Sequence, residues 1–159
     1  MDKKLRIYLD TSVINFLYYE LAPEFMQATI EFFENHINDY DVFISEFVLA
    51  EINRTKNSDK RNQLLDALLI YNLNPYKIAN EEIFELANVY IENGIIPVNK
   101  IDDALHIAYS TYYEFDILLS WNFKHLANIK KQMQINSVNL NKGYSKTLLL
   151  LNPLEVIND

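Results

Sequence analysis

Apolar residues recur along this chain at two periods, one strand-like and one helix-like, and the two alternate. Leu5 to Leu9 is a short apolar run that predicts a buried strand, and it carries a carboxylate, Asp10, at its C-terminal end. Thr11 or Ser12 can cap the helix expected next, from Ser12 to about Leu21, with Val13, Phe16 and Leu17 on one side. Pro23 fits the first turn of a second helix reaching about His36, with Phe25, Ala28, Thr29, Phe32 and Phe33 at helical spacing. Asp39 to Asp41 reads as a turn, Val42 to Ile44 as a short strand, and Ser45 as the cap of a helix containing Val48, Leu49, Glu51 and Ile52.

Asn57 to Asp59 punctuates before a helix bearing Leu64, Leu65, Leu68 and Leu69, which ends ahead of Pro75. Tyr76 to Ile78 suits a brief strand. Asn80 caps an amphipathic helix with Ile83, Leu86, Ala87, Tyr90 and Ile91 on one stripe, and Gly94 stops it. A further helix starts at Asn99, with Ile101, Ala104, Leu105 and Ala108 facing in. Asp116 to Ser120 predicts another buried strand, Trp121 to Asn128 a turn and short helix, and Ile135 to Val156 one or two edge strands closed by a helical turn at Pro153. The resulting order, β-α-α-β-α-α-α-α-β-α-β, predicts an α/β fold with a mainly parallel sheet whose strands end on one edge.

Composition narrows the chemistry. The 159 residues suit a single domain spanning 1–159, and half of them are hydrophobic, enough for a sizeable core. There are no cysteines, which excludes disulfides and thiolate metal sites and fits a reducing cytoplasm. The charged start, Met-Asp-Lys-Lys-Leu-Arg, lacks the apolar run of a signal peptide, and no stretch approaches the roughly 20 apolar residues of a membrane span. Gly94 and Gly143 are the only glycines, so a Gly-rich nucleotide loop cannot form. The net charge of −8 disfavours broad contact with a phosphate backbone, although Arg54, Lys56, Lys60, Arg61, Lys124, Lys130 and Lys131 offer local positive charge.

In open α/β sheets, ligands bind beyond the carboxyl ends of the strands. Asp10 follows the first strand, Glu51 lies six residues beyond Ser45, Asp102 and Asp103 open the helix before the third strand, and Asn122 follows that strand. Carboxylate and amide oxygens suit magnesium or manganese, and acids gathered at one point repel unless a cation joins them. Such an ion can activate water and polarise a phosphoryl oxygen, as phosphodiester hydrolysis requires. Each residue also has a plainer reading: Asp10 as a helix cap, Glu51 as a surface acid, Asp102 and Asp103 as partners of a helix dipole, Asn122 as a cap. His106 and His125 read as supporting or packing residues.

The four segments in order resemble PIN-domain proteins, a nuclease family that includes the VapC-type toxins of toxin–antitoxin pairs. The resemblance rests on Tyr8-Leu9-Asp10-Thr11-Ser12-Val13, on Ser45 to Glu51, on Asp103-Ala104-Leu105-His106-Ile107-Ala108, and on Asp116 to Phe123, with the ending Asn152-Pro153-Leu154-Glu155 in keeping. It implies a three-layer α/β/α fold and Mg2+- or Mn2+-dependent cleavage of RNA. Asp10, Glu51 and Asp103 would be the catalytic, metal-holding acids, with Asn122 as a fourth metal ligand where many members carry an acid. Thr11, Ser12, Asn15 and Asp102 would support them. It further implies an antitoxin partner and a homodimer. The amide at Asn122 leaves a second reading open, a PIN-fold module that binds nucleic acid or protein with little catalysis. A phosphatase of the haloacid dehalogenase type, suggested by Leu-Asp-Thr-Ser, lacks its second aspartate, since Ser12 stands there.

Overall fold

The computed structural model of the chain describes residues 3–157; Met1 and Asp2, part of the charged start, lie outside the described residues. Four parallel strands form one sheet in the order β2-β1-β3-β4: β1 is Arg6–Leu9, β2 Asp41–Phe43, β3 Ile117–Leu119 and β4 Leu149–Leu151. Ile7, Tyr8 and Leu9 are wholly buried, as a central strand covered on both faces must be. Register aligns Tyr8 with Leu118 and Leu9 with Leu119, so the residues that follow, Asp10 and Ser120, leave the sheet side by side.

Among the described residues seven α-helices cover the sheet: α1 Thr11–Asn15, α2 Pro23–Glu31, α3 Glu46–Asn53, α4 Ser58–Ile70, α5 Glu81–Glu92, α6 Ile101–Tyr112 and α7 Ile129–Asn141. The expected caps form: Ser45 accepts from Phe47 N–H and Asn80 from Ile83 N–H, while Pro23 occupies the first turn of α2. Gly94 takes φ +72° just past α5, a left-handed turn that a Cβ would strain. Helix α6 is buried continuously from Ala104 to Thr111, which makes it the inner helix of its layer.

Five local expectations are corrected. The first helix ends at Asn15 and tightens into a 3-10 turn, Phe16–Tyr18, and the chain is out of helix by Ala22, the residue whose helical conformation Pro23 disfavours. Helix α6 starts at Ile101 after a 3-10 turn, Val98–Lys100, rather than at Asn99. Tyr76 to Ile78 is no strand; a single bridge joins Ile44 and Pro75, since proline has no N–H to continue a ladder. Trp121 to Asn128 forms turns rather than a helix, held by Asn122 Oδ1, which accepts from the N–H groups of Lys124 and His125 at 3.2 and 3.1 Å. The tail contains a full helix, α7, before one edge strand. Its apolar stripe is thin, and it is seated instead by polar anchors: Asn139 is fully buried and hydrogen-bonded to Tyr90 and Thr111.

Candidate active site

Asp10 is almost entirely buried where β1 ends. Its carboxylate accepts from Ser12 Oγ at 2.6 Å on one oxygen and from Ser120 Oγ at 2.7 Å on the other. These hydroxyls are themselves fixed, because Trp121 N–H donates to Ser12 Oγ and Asn122 N–H to Ser120 Oγ, each at 2.9 Å. Asp10 is the N-cap of α1 with no side-chain capping bond, so neither Thr11 nor Ser12 caps that helix; Ser12 turns back to hold the acid.

Glu51 comes from α3 and its Oε1 accepts from Nε2 of His106, which lies on α6. Asp103, one turn earlier on α6, accepts from Asn122 Nδ2 at 3.2 Å. The amide of Asn122 thus presents its nitrogen to Asp103 while its oxygen holds the turn. Asp102 faces elsewhere and pairs with Arg54 at 3.0 Å on the surface. Asn15 makes no hydrogen bond to Asp10 among the described residues, so its place in α1 is its link to the site. The structure therefore brings together Asp10, Glu51, Asp103, Ser12 and Asn122, and leaves Asp102 outside.

The electrostatics tie these groups into one unit. Burial pushes the Asp10 carboxyl up to about 6, against the lowering pull of His106 and the two serines. Asp103 is raised as well, by burial first, with the charges of His106 and His125 opposing and that of Glu51 adding. For Glu51, burial pushes up, yet the hydrogen bond and charge of His106, followed by Thr11 and Arg54, bring it below its ordinary value. Burial lowers His106, but Glu51, Asp10 and Asp103 outweigh that and raise it. His106 lies within electrostatic reach of all three acids.

Two observations suit a cation here. Asp10 and Asp103 hold charge that burial disfavours and their partners do not fully offset. Thr11 Oγ1, buried between Asp10 and Ser12 in sequence and acting on Glu51, has no partner of normal hydrogen-bond geometry. The oxygen donors are those of a hard divalent ion. Their spacing is not a ready-made cage: among the described residues, no three His, Asp or Glu side chains stand close enough to hold a metal as they are. A surface depression of about 580 Å³ beside Tyr18 and Asp66 includes none of the groups around Asp10.

Ser120 and Tyr8 belong to this site and were not singled out by sequence as such; His106, read from the sequence as a supporting or packing residue, stands beside the acids. Each had a signal. Ser120 ends the strand beside the one that delivers Asp10, a buried tyrosine needs a partner for its hydroxyl, and His106 follows Asp103 by three on one helix face.

The PIN domain profile matches residues 7–129, a span that includes Asp10, Glu51, Asp103 and Asn122. Among solved structures, the fold is similar to that of a chain in the crystal structure of VapBC2 from Rickettsia felis bound to a DNA fragment from their promoter. The TM-score is 0.57 and the identity 19%, over 93% of this chain and 98% of that one. No curated protein matches the sequence. No helix among the described residues is long and apolar enough to cross a membrane.

Proposed function

The chain belongs to the PIN-domain family, and from that membership we propose a metal-dependent endoribonuclease that hydrolyses RNA phosphodiester bonds as the toxin of a toxin–antitoxin pair. PIN domains are generally nucleases that depend on a divalent metal. The observation that carries the reading is geometric: Asp10 at the end of β1 is held by Ser12 and Ser120, Glu51 on α3 is bonded to His106 of α6, and Asp103 of α6 is bonded to Asn122, which follows β3. The similarity in fold to a VapBC2 chain supports an antitoxin as partner.

In this reading Asp10, Glu51 and Asp103 hold Mg2+ or Mn2+, with Asn122 beside them. The ion would lower the pKa of water and polarise a phosphoryl oxygen. Ser12 and Ser120 fix the Asp10 carboxylate from both sides, so that it need not reorganise when charge arrives. Asn122 orients Asp103 and, being an amide, adds no negative charge. Lys100, Lys124 and Lys131 lie within electrostatic reach of His125 and give the Asp103 side of the site positive charge suited to RNA phosphates. A reducing cytoplasm and a second copy as partner complete the reading.

The second reading, a PIN-fold module that binds nucleic acid or protein with weak catalysis, is favoured by the amide at Asn122, where many members carry an acid, and by the net charge of −8. One experiment separates the two. Purified protein is incubated with a mixed RNA pool and manganese, beside Asp10→Asn and an EDTA control, and manganese binding is measured by calorimetry. Cleavage lost in both controls supports the nuclease; neither cleavage nor binding by the wild type leaves the module.

A further inference from the structure

The three acids are held differently. Asp10 has two serine donors and Asp103 has an amide, whereas Glu51 is held first by His106, with the Thr11 hydroxyl a lesser partner. His106 in turn is not free to swing. Its Nδ1 lies 2.5 Å from the hydroxyl of Tyr8, which is 2.7 Å from Ser45 Oγ. Ser45 Oγ accepts from Phe47 N–H at 3.1 Å in its capping role. Tyr8 and Ser45 are wholly buried and His106 very nearly so.

These contacts form a circuit. It starts at the N-terminal turn of α3, crosses to β1 at Tyr8, crosses again to α6 at His106, and returns to α3 at Glu51. One placement of protons satisfies every member. Phe47 N–H donates to Ser45, the serine hydroxyl to Tyr8, the tyrosine hydroxyl to Nδ1 of His106, and Nε2–H to Glu51. Each hydroxyl then donates once and accepts once. A phenylalanine and a leucine would fill the same space without desolvating three polar groups. The circuit ends on the acid whose side chain has the most rotatable bonds among the three.

Resting on the nuclease reading above, we propose that Tyr8 and His106 are positioning residues for Glu51: they lock its carboxylate through Oε1 and leave the other oxygen for the metal ion. Tyr8 does this without touching metal or substrate. It lies two residues before Asp10, so the strand that delivers one acid also orients the second.

The test uses Tyr8→Phe, His106→Ala, His106→Gln and the Tyr8→Phe/His106→Ala double variant. Manganese affinity is measured by calorimetry, cleavage by the kinetics of a fluorescent RNA, and folding by thermal melts. Tyr8→Phe should lower manganese affinity and kcat by about 10–100-fold, the range seen when a group supporting a metal ligand is lost. KM for RNA and the cooperative melt should be unchanged. His106→Gln, whose amide can donate to Glu51 and accept from Tyr8 but carries no charge, should recover part of the manganese affinity and rate that His106→Ala loses. The double variant should be no worse than His106→Ala, because both changes break one circuit. Should His106→Ala fail to fold, Tyr8→Phe decides the matter. Tyr8→Phe with wild-type manganese affinity and rate overturns the proposal, and so do losses in the double variant that add in full. A wild type that neither binds manganese nor cleaves RNA overturns the nuclease reading as well, and is told apart because no variant is needed to see it.

Discussion

Helix α6 carries a buried polar cluster at each end, and the two are built on opposite terms. Near its C-terminus, Thr111 meets Tyr90 of α5 and Asn139 of α7. Tyr90 donates to Asn139 Oδ1 at 2.5 Å, and Asn139 Nδ2 donates to Thr111 at 3.0 Å. All three are neutral, for burial holds the Tyr90 hydroxyl well above its ordinary value, and their bonds point at one another. Near the N-terminus, Asp103 and His106 join Asp10 and Glu51, where charge is concentrated, two acids are pushed up, and Thr11 Oγ1 and His125 Nδ1 have no partner of normal hydrogen-bond geometry among the described residues. A closed neutral network specifies how helices seat. A buried, charged and incompletely satisfied network costs stability, and that cost is expected where a site awaits a ligand.

The sharpest way to break this comparison is to neutralise one acid. Asp10→Asn should lower RNA cleavage by at least about 100-fold, since loss of a supporting group alone reaches that range. Asn139→Ala should leave the rate per folded molecule unchanged in the same single-turnover assay. Equal losses from both would erase the distinction between the clusters.

Stability should respond in the opposite sense. Asn139→Ala strands two buried partners and should cost about 2–3 kcal/mol in a urea melt. Asp10→Asn in metal-free protein should stabilise, by at most about 3 kcal/mol near pH 8, because the carboxylate it removes is disfavoured in the fold. The sign follows from the pKa. Asp10 has an ordinary value of 3.8 and is pushed up to about 6, so the folded state binds its proton more tightly. Wild-type stability therefore falls as pH rises between those values, and the raised pKa values of Asp103 and His106 act in the same direction. Glu51 is lowered from 4.5 and works the other way, its contribution being lost as pH falls below that value. His125 is lowered from 6.5, chiefly by burial, and also works the other way. The check is therefore the difference in stability between metal-free Asp10→Asn and wild type: it should widen from pH 5 to about pH 8, and a constant difference would contradict this assignment. Manganese should raise the melting temperature of wild type and not of Asp10→Asn, because only the former has the full acid set.

The smallest effect is expected just outside the site. Asp102→Asn breaks an exposed pair with Arg54 and should change stability by less than about 1 kcal/mol. Asp103→Asn, its sequence neighbour, should cost far more cleavage. A larger loss from Asp102 than from Asp103 would reverse which of the two belongs to the site.

Much of this was legible in the chain. Leu5 to Leu9 reads as a buried strand because all but Arg6 are apolar or aromatic, and the structure keeps Arg6–Leu9 of it and leaves Leu5 exposed; Ser45 and Asn80 read as caps because their side chains can accept a free N–H. Asp10 could be named because it follows such a strand, and Glu51 and Asp103 because they fall in segments that resemble the PIN pattern in order. The α7 helix was not legible, since its anchor Asn139 looks like any surface polar residue until Tyr90 and Thr111 cover it. Nor was the role of Asn122: its amide acts on Asp103 through one end and on the turn through the other.

The sequence by itself determined the parallel α/β order, the acids at the strand ends and the absence of thiol chemistry. Those follow from short-range periodicity and composition, which each segment carries within itself. Only the tertiary structure decided which donors meet those acids. Ser120 reaches Asp10 across 110 residues and Tyr8 reaches His106 across 98, through strand register and helix packing that have no local signature. It also decided the charges, because burial, which pushes Asp10 up and lets His106 draw Glu51 down, exists only once the layers close.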